Sequence, residues 1–172
     1  LVLGAGSGVG SAAVQIAKMF GARVIATAGN DKKLQKAKEL GADELINHNS
    51  QDIAAEVKRL TNKRGVDLVF EHVGKATWEK SLLSLGYGGR IVTCGATTGY
   101  DAMTDLRHVF WKQLTVLGSH QGSKAETVKV LSHVQAGRLR PVVDRVMPLR
   151  EAAQAQLLME QREQFGKIVL TP

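Results

Sequence analysis

Four glycines at alternating positions near the start of the chain suggest a site for a bound anion. Gly4, Gly6, Gly8 and Gly10 follow three apolar residues, and apolar side chains at helical spacing begin at Val9. A helix that starts directly after a strand points its unpaired N–H groups and the positive end of its dipole back at the turn. Glycines let the backbone approach a ligand closely. The pattern therefore predicts a cradle for the phosphates of a nucleotide cofactor. Its predicted residues are Gly6, Ser7, Gly8, Val9 and Gly10.

The spacing of these glycines leaves two classes of cofactor open. The loop has the form Gly-x-Gly-x-Gly-x-Gly, whereas dinucleotide-binding loops have Gly-x-Gly-x-x-Gly. If Gly10 packs the helix against the strand, Ser7 takes the central glycine position. The literal spacing is typical of S-adenosylmethionine-dependent methyltransferases, which resemble one another in carrying acids before the first glycines and at the end of the second strand. Residues 1–3 and 26–28 contain no acid, so the sequence favours a dinucleotide.

The end of the second predicted strand, residues 23–27, bears on which dinucleotide is bound. An acid there would accept hydrogen bonds from a ribose 2′-OH and would repel a 2′-phosphate. Instead Gly29 leaves room for a phosphate and carries no negative charge, and Asn30 and Lys33 follow at the start of the next helix. Asp31 stands nearby, but the first turn of a helix favours an acid for its own stability. We therefore expect NADP(H) to be preferred, with NAD(H) possible, and assign Gly29, Asn30 and Lys33 to the cofactor site.

Strands and helices alternate along the chain in the pattern of an α/β protein. Continuous apolar runs predict strands near residues 1–3, 23–27, 43–47, 66–70, 90–94 and 114–117. Buried parallel strands have this composition. With short connections and right-handed crossovers, the pattern predicts a doubly wound, parallel six-stranded sheet with helices on both faces. The regular alternation of strands and helices changes after Gly137. We therefore divide the chain into a dinucleotide-binding domain, residues 1–137, and a C-terminal helix–strand extension, residues 138–172.

Several residues that follow predicted strands are candidate cofactor contacts, because ligands of open α/β sheets bind at the carboxyl ends of the strands. His48 could meet the adenosine half, or it could be exposed without a role. His72 could contact the nicotinamide or ribose, or it could pack at the rim. Cys94 has no recognisable partner base, so we expect a small neighbour of the cofactor and not a nucleophile. The candidate contacts are His48, His72, Val73, Cys94, Gly95 and Ala96.

Composition limits the partners that the chain is expected to have. The net charge is +7, but the 23 Lys and Arg are scattered over predicted helices without interleaved aromatic residues, so we expect no nucleic acid. No apolar run approaches the ~20 residues of a membrane span, so we expect no membrane. Cys94 is the only cysteine, which excludes a disulfide framework or a cysteine zinc cluster and favours the cytoplasm.

Five stretches together resemble the medium-chain dehydrogenase/reductase superfamily, which includes the zinc-type alcohol dehydrogenases and the quinone reductases. They occur in the family's order, at residues 4–18, 37–43, 65–70, 88–92 and 166–170. The loop and first helix are closest to the quinone reductase branch. Ser7, Ala28 and Glu71 depart from the alcohol dehydrogenase pattern, in which Asp is usual at the position of Glu71. These departures argue against strict use of NAD.

The resemblance implies a Rossmann fold that forms the cofactor half of a longer, two-domain oxidoreductase. Its catalytic domain, with any zinc ligands, would lie mostly before Leu1, and the first strand here would be truncated. It further implies hydride transfer between a nicotinamide cofactor and a small alcohol or carbonyl, quinone or enone, with no catalytic residue or metal ligand in this chain. A homodimer through the edge strand, residues 114–117, is also implied. A methyltransferase and a non-catalytic dinucleotide sensor are the alternatives.

Overall fold

Helices and strands alternate along the whole chain, as the apolar pattern predicts. The computed structural model describes residues 1–172. The α-helices are α1 (Gly8–Met19), α2 (Asp31–Glu39), α3 (Ile53–Leu60), α4 (Trp78–Ser84), α5 (Leu106–Trp111), α6 (Lys124–Gln135) and α7 (Ala152–Glu160). The strands are β1 (Ile25–Ala28), β2 (Glu44–Asn47), β3 (Val66–Glu71), β4 (Leu85–Thr93), β5 (Thr115–Gly118), β6 (Val143–Pro148) and β7 (Lys167–Thr171).

The regular strands form parallel sheets of two, three and two strands, in the orders β1-β2, β3-β4-β5 and β6-β7. Residues 1–3 lie between the first two sheets, where Val2 bridges Ala26 on one side and Phe70 on the other. The α/β class is therefore confirmed. A single sheet of six regular strands is not observed, because residues 1–3 run directly into the glycine turn and make only isolated bridges.

Side chains from residues 1–3 divide between two apolar clusters. Leu1 and Leu3 belong to a cluster of 11 buried residues that includes side chains of α3 and α4. Val2 belongs to a cluster of 8 that includes Val14 of α1 and Phe165 from the C-terminal segment. Successive side chains of an extended segment point to opposite faces. The segment is thus the centre of the core, and the glycine loop that follows it starts from a fixed position.

Helices α1 and α2 both begin with a side-chain cap at the edge where the preceding extended segments end. The Ser7 hydroxyl accepts a hydrogen bond from the Gly10 N–H at 2.8 Å, and Asn30 Oδ1 accepts one from the Lys33 N–H at 2.9 Å. Such caps satisfy backbone donors that have no partner within the helix. Ser7 and Asn30 therefore fix where two of the helices start.

Helix α6 differs from the other long helices because none of its residues is buried. A capping box between Ser123 and Glu126 closes its N-terminus, yet Val128 and Leu131 remain 59% and 58% exposed. Strand β5, which contains most of the predicted edge strand, pairs only with β4 and is exposed throughout. No helix combines the length and the apolar character that crossing a membrane requires.

Candidate functional site

The glycine loop turns the chain from residues 1–3 into α1. Gly4 has a positive φ of 56°, and its N–H donates to Thr27 Oγ1 at 3.2 Å. A Cβ at Gly10 would overlap the Gly4 carbonyl oxygen and would lie only 2.8 Å from the Ala5 Cα. Gly10 is therefore the residue that lets α1 pack directly on the strand, a role that the third glycine has in dinucleotide-binding loops.

The start of α1 provides donors for an anion. The first N–H groups of a helix have no partner within it. Ser7 Oγ satisfies the N–H of Gly10, while Gly8 and Val9 form the remainder of this first turn. Gly8 has no side chain that could cover the N–H groups of this turn. The turn can therefore accept a phosphate at the positive end of the helix dipole.

Lys167 lies over this turn, although the sequence pattern did not indicate it as a site residue. A Cβ at Gly8 would lie 2.9 Å from the Lys167 Cδ. The neighbouring Gly166 N–H donates to the Gly6 carbonyl at 2.8 Å, and Ser7 bridges Gly166 in parallel. Strand β7 is thus held beside the glycine loop, and it places the cation Lys167 next to the start of α1.

A second group of cations surrounds the N-terminus of α2. The Lys33 side chain lies against Gly6, with its Cδ 3.0 Å from the position of a Cβ there, and its ammonium group donates to the Arg162 carbonyl oxygen. Burial lowers the pKa of Lys33. The negative charge of Asp144 raises it, and the positive charges of Arg162 and Lys36 lower it. The adjoining cavity of about 410 Å³ is lined by Asn30, Lys32, Lys33, Lys36, Asp144, Arg145, Glu163 and Phe165.

His48 and Gly29 lie together at the end of β1 and β2. Asn49 Nδ2 donates to the Gly29 carbonyl at 2.7 Å, and His48 Nδ1 lies 3.3 Å from Thr27 Oγ1. Burial lowers the pKa of His48, and the positive charges of Arg162 and Lys33 lower it further. The lowered pKa favours the neutral imidazole at pH 7. Thr27 itself, a buried polar residue in an apolar strand, connects His48 to Gly4, and its polarity was the available sequence signal.

His72 occupies the other side of the glycine loop. Its Nε2 donates to the Leu3 carbonyl at 2.8 Å, and its ring lies over Gly4, with Cε1 3.3 Å from the position of a Cβ there. This ring nitrogen therefore already has a partner within the chain. Val73 packs against the larger apolar cluster. A Cβ at Gly95 would lie 3.0 Å from the His72 carbonyl, so the strand ends of β3 and β4 are in close contact.

Hydrogen bonds join the loop after β3 to the loop after β4. Thr98 donates to the Val73 carbonyl through both its N–H and its hydroxyl, each at 2.8 Å. The Lys75 N–H donates to the Gly99 carbonyl at 3.0 Å. At Gly74, where φ is 93°, a Cβ would lie 2.9 Å from the Cα of the exposed Ala96. These two loops therefore behave as one unit.

Cys94 begins the second of these loops. Cys94 is exposed as a residue, but partial desolvation of its thiol and the negative charge of Glu71 raise the pKa of that thiol. The thiol is therefore protonated at neutral pH and is a weak nucleophile. No three of the His, Cys, Asp and Glu side chains lie close enough together to hold a metal ion.

All the residues predicted for the site lie near the carboxyl ends of residues 1–3, β1, β2, β3 and β4. The contacts between Gly4 and His72, between Gly29 and His48, and between His72 and Gly95 connect the parts of this edge. The structure thus brings together the predicted residues, and it adds Thr27, Arg162 and Lys167 to them.

Comparisons with known proteins assign this arrangement to a family. A sequence model of zinc-binding dehydrogenases matches residues 8–136. A crystal structure of an NAD-dependent alcohol dehydrogenase is 48% identical, with a TM-score of 0.93, and the match covers 99% of this chain and 50% of that one. The 2-haloacrylate reductase of a Burkholderia species is 33% identical over 186 residues, which is 100% of this chain and 55% of that protein.

A third relative was solved with a dinucleotide bound. The structure of a 2-octenoyl-CoA carboxylase reductase in complex with NADP and 2-octenoyl-CoA is 29% identical, with a TM-score of 0.89, over 98% of this chain and 42% of that one. The chain spans about half the length of the curated relatives that it matches. The similar proteins of known structure thus include an NAD-dependent alcohol dehydrogenase and a reductase with NADP bound.

Proposed function

The chain belongs to the zinc-binding dehydrogenase family, and on that premise we propose that it binds NADP(H) in an oxidoreductase. The enzyme would transfer hydride between the nicotinamide and an alcohol or carbonyl, a quinone or an enone. The observation that carries this proposal is the glycine loop, which opens onto the start of α1 with Lys33 on one side and Lys167 on the other. The cofactor supplies the hydride chemistry when bound, and this chain supplies binding and orientation.

The residues of the loop fit the pyrophosphate. Side chains are missing at Gly6 and Gly8, where a Cβ would meet only the flexible stems of Lys33 and Lys167. Those stems can move aside, and the ammonium group of Lys167 can then pair with oxygens of the pyrophosphate, whereas that of Lys33 is assigned to the 2′-phosphate. The N–H groups of the first turn of α1 supply donors from the other side. Val9 and Gly10 complete the turn.

The surroundings of α2 fit a 2′-phosphate better than a free ribose hydroxyl. Lys33 contacts the loop at Gly6. Burial lowers its pKa, Asp144 raises it, and the positive charges of Arg162 and Lys36 lower it further. A bound phosphate would relieve this repulsion between like charges. Asp31, the nearest acid on α2, accepts a hydrogen bond from Asn47 Nδ2 at 2.9 Å. Gly29 and Asn30 would border the phosphate, and His48 would border the adenosine.

The nicotinamide would lie along the loops that follow β3 and β4. Val73, Cys94, Gly95 and Ala96 are assigned to this end of the site. His72 would contribute through the face of its ring, because its Nε2 is bonded to Leu3. The protonated thiol of Cys94 fits a contact residue and not a nucleophile. No residue in this chain is proposed as a catalytic acid or base.

The remaining features of the whole protein belong to the same proposal. Residues 1–3 would be the central strand of one six-stranded sheet within a dinucleotide-binding domain, residues 1–137, and residues 138–172 would pack toward a catalytic domain that holds any zinc. A homodimer would form through β5, where Val116 and Leu117 are 46% and 43% exposed and one backbone edge has no strand partner. The enzyme would act in the cytoplasm.

Exchange of Lys33 for alanine tests the preference for NADP(H). A hydrogen bond to a charged group contributes about 1.5–3 kcal/mol, so Lys33→Ala should weaken NADPH binding about tenfold or more and should spare NADH. Lys38→Ala, on the exposed face of the same helix, is the matched control and should change neither affinity. Fluorescence titration of both cofactors measures the difference. Equal losses for NADPH and NADH would refute the assignment.

The same titration separates the alternatives. A methyltransferase would bind S-adenosylmethionine in preference to either dinucleotide. A non-catalytic sensor would bind NADPH but would not oxidise it in the presence of a carbonyl, quinone or enone. Turnover by the full-length protein excludes that second alternative.

A further inference from the structure

Glu71 is the only charged residue among the fully buried side chains, with 0% of its surface exposed. It is the last residue of β3, directly before His72 and Val73. No cation forms an ion pair with it. From its contacts we infer that Glu71 is a positioning residue that holds the loops at the nicotinamide end of the site. This inference rests on the proposed function.

The carboxylate of Glu71 accepts hydrogen bonds from two elements at once. Its Oε1 accepts the N–H groups of Val73 at 2.7 Å and Gly74 at 3.1 Å. Its Oε2 accepts the Ser81 hydroxyl at 2.6 Å, and the Thr77 hydroxyl lies 3.0 and 2.9 Å from the two oxygens. Four donors therefore satisfy a buried charge that would otherwise be costly.

Thr77 shows that this network takes precedence over local structure. It occupies the N-cap position of α4, where a threonine side chain usually accepts a backbone N–H. Here it makes no capping bond, and its hydroxyl faces Glu71 instead. The helix thus begins without its side-chain cap. Departures from a local rule are expected where a function depends on the arrangement.

The length of the glutamate side chain explains how it reaches both elements. An aspartate at this position could accept the nearby N–H groups of Val73 and Gly74, which lie two and three residues ahead. The additional methylene extends the carboxylate to Ser81, ten residues ahead on α4. Glu71 consequently fixes the loop after β3 against the helix that follows it.

The position of that loop determines the position of the next one. Val73, fixed through its N–H by Glu71, accepts both hydrogen bonds from Thr98. The Glu71 carbonyl accepts the Cys94 N–H at 3.1 Å. A shift of Val73 would therefore move the backbone on both sides of the proposed nicotinamide position. It would leave Lys33 in place, because the Asn30 cap holds the start of α2. The glycine loop, which His72 and Val73 contact at Gly4, would keep its hydrogen bond to Thr27.

Separate binding of the two halves of the cofactor tests this role in the full-length protein. Ser81→Ala removes one donor to Glu71, whereas Ser84→Ala removes an equally buried hydroxyl on the same helix that donates to the Lys80 carbonyl. Affinities are measured for NADPH and for adenosine 2′,5′-bisphosphate, which lacks the nicotinamide. Glu71→Gln, which keeps the shape but loses the charge, is measured in parallel.

We expect Ser81→Ala and Glu71→Gln to weaken NADPH binding about tenfold and to leave binding of the bisphosphate unchanged. Ser84→Ala should alter neither affinity. Unchanged NADPH binding in both test variants, or equal losses for the two ligands, would overturn the role of Glu71. If the unmutated protein binds neither NADPH nor NADH, the proposed function fails first and the inference fails with it.

Discussion

Replacing Gly10 by alanine tests how closely α1 approaches the segment before it. The added Cβ would overlap the Gly4 carbonyl oxygen and lie 2.8 Å from the Ala5 Cα. Non-bonded carbon atoms attract best at about 3.5–4.0 Å, so the helix and the turn must separate by at least ~0.7 Å. Both neighbours are backbone atoms. No side-chain rotation can therefore relieve the overlap.

The magnitude follows from two opposing effects. Overpacking typically costs about 1–3 kcal/mol, and the upper end applies because backbone must move. Alanine in place of glycine improves helix propensity by up to about 1 kcal/mol. We therefore expect Gly10→Ala to lower the free energy of unfolding by about 2 kcal/mol. Gly8→Ala is the matched control, because its Cβ meets only the movable Lys167 side chain and its stability should be unchanged or higher.

Urea unfolding of the full-length protein, followed by tryptophan fluorescence, measures both variants. NADPH titration should in addition show weaker binding by Gly10→Ala, because the first turn of α1 is displaced from the phosphates. The reasoning would be refuted if Gly10→Ala unfolded at the same urea concentration as Gly8→Ala and bound NADPH as tightly as the unmutated protein.

Two further predictions concern titratable groups. Partial desolvation and the nearby Glu71 carboxylate raise the pKa of the Cys94 thiol. Iodoacetamide should therefore alkylate Cys94 more slowly than free cysteine at pH 8, as followed by mass spectrometry. Alkylation faster than that of free cysteine would contradict this. Hydrogen bonds from Lys18 and from the Val24 N–H lower the pKa of Asp43, so its contribution is complete above the unfolded pKa of about 3.9 and is lost as pH falls through the lower folded value. Asp43→Asn should therefore lower the free energy of unfolding by about 1 kcal/mol or less at pH 7 and by almost nothing near pH 2. Thermal unfolding measures both values, and an equal loss of stability at the two pH values would contradict this.

The parts of the fold that depend on neighbouring residues were predictable from the sequence. Apolar runs located the strands, and glycines such as Gly21 and Gly41 located turns, because these signals act within a few residues. Gly86, Gly88 and Gly89 also predict a turn, but they lie within β4. Asn30 was expected to cap α2, and it does. The prediction of six regular strands in one sheet was not confirmed. Backbone hydrogen bonds join residues 1–3 to β1 and β3, but the segment runs directly into the glycine turn and Val2 makes only isolated bridges.

The parts of the site that depend on distant residues were not predictable in this way. Nothing in the spacing around Lys167 indicates that β7 lies beside Gly6, because more than a hundred residues separate them. Glu71 was noted only as a substitute for aspartate. Its role depends on α4 packing against the end of β3, which brings Ser81 within 2.6 Å. Patterns along a chain identify elements, whereas such contacts arise only when the elements pack.

Because cations lie beside the glycine loop, binding of an anionic ligand should increase the stability of the folded protein. Lys33, Arg162 and Lys167 place positive charge beside the glycine loop, Asp144 offsets part of it at Lys33, and the remaining repulsion between the cations opposes folding. A bound anion removes this penalty, and a ligand present at 100 times its dissociation constant adds about 2.7 kcal/mol to stability. The amount of folded protein in a cell would then follow the supply of its cofactor. Loss of the ligand would lower the folded population and expose more of the protein to proteolysis.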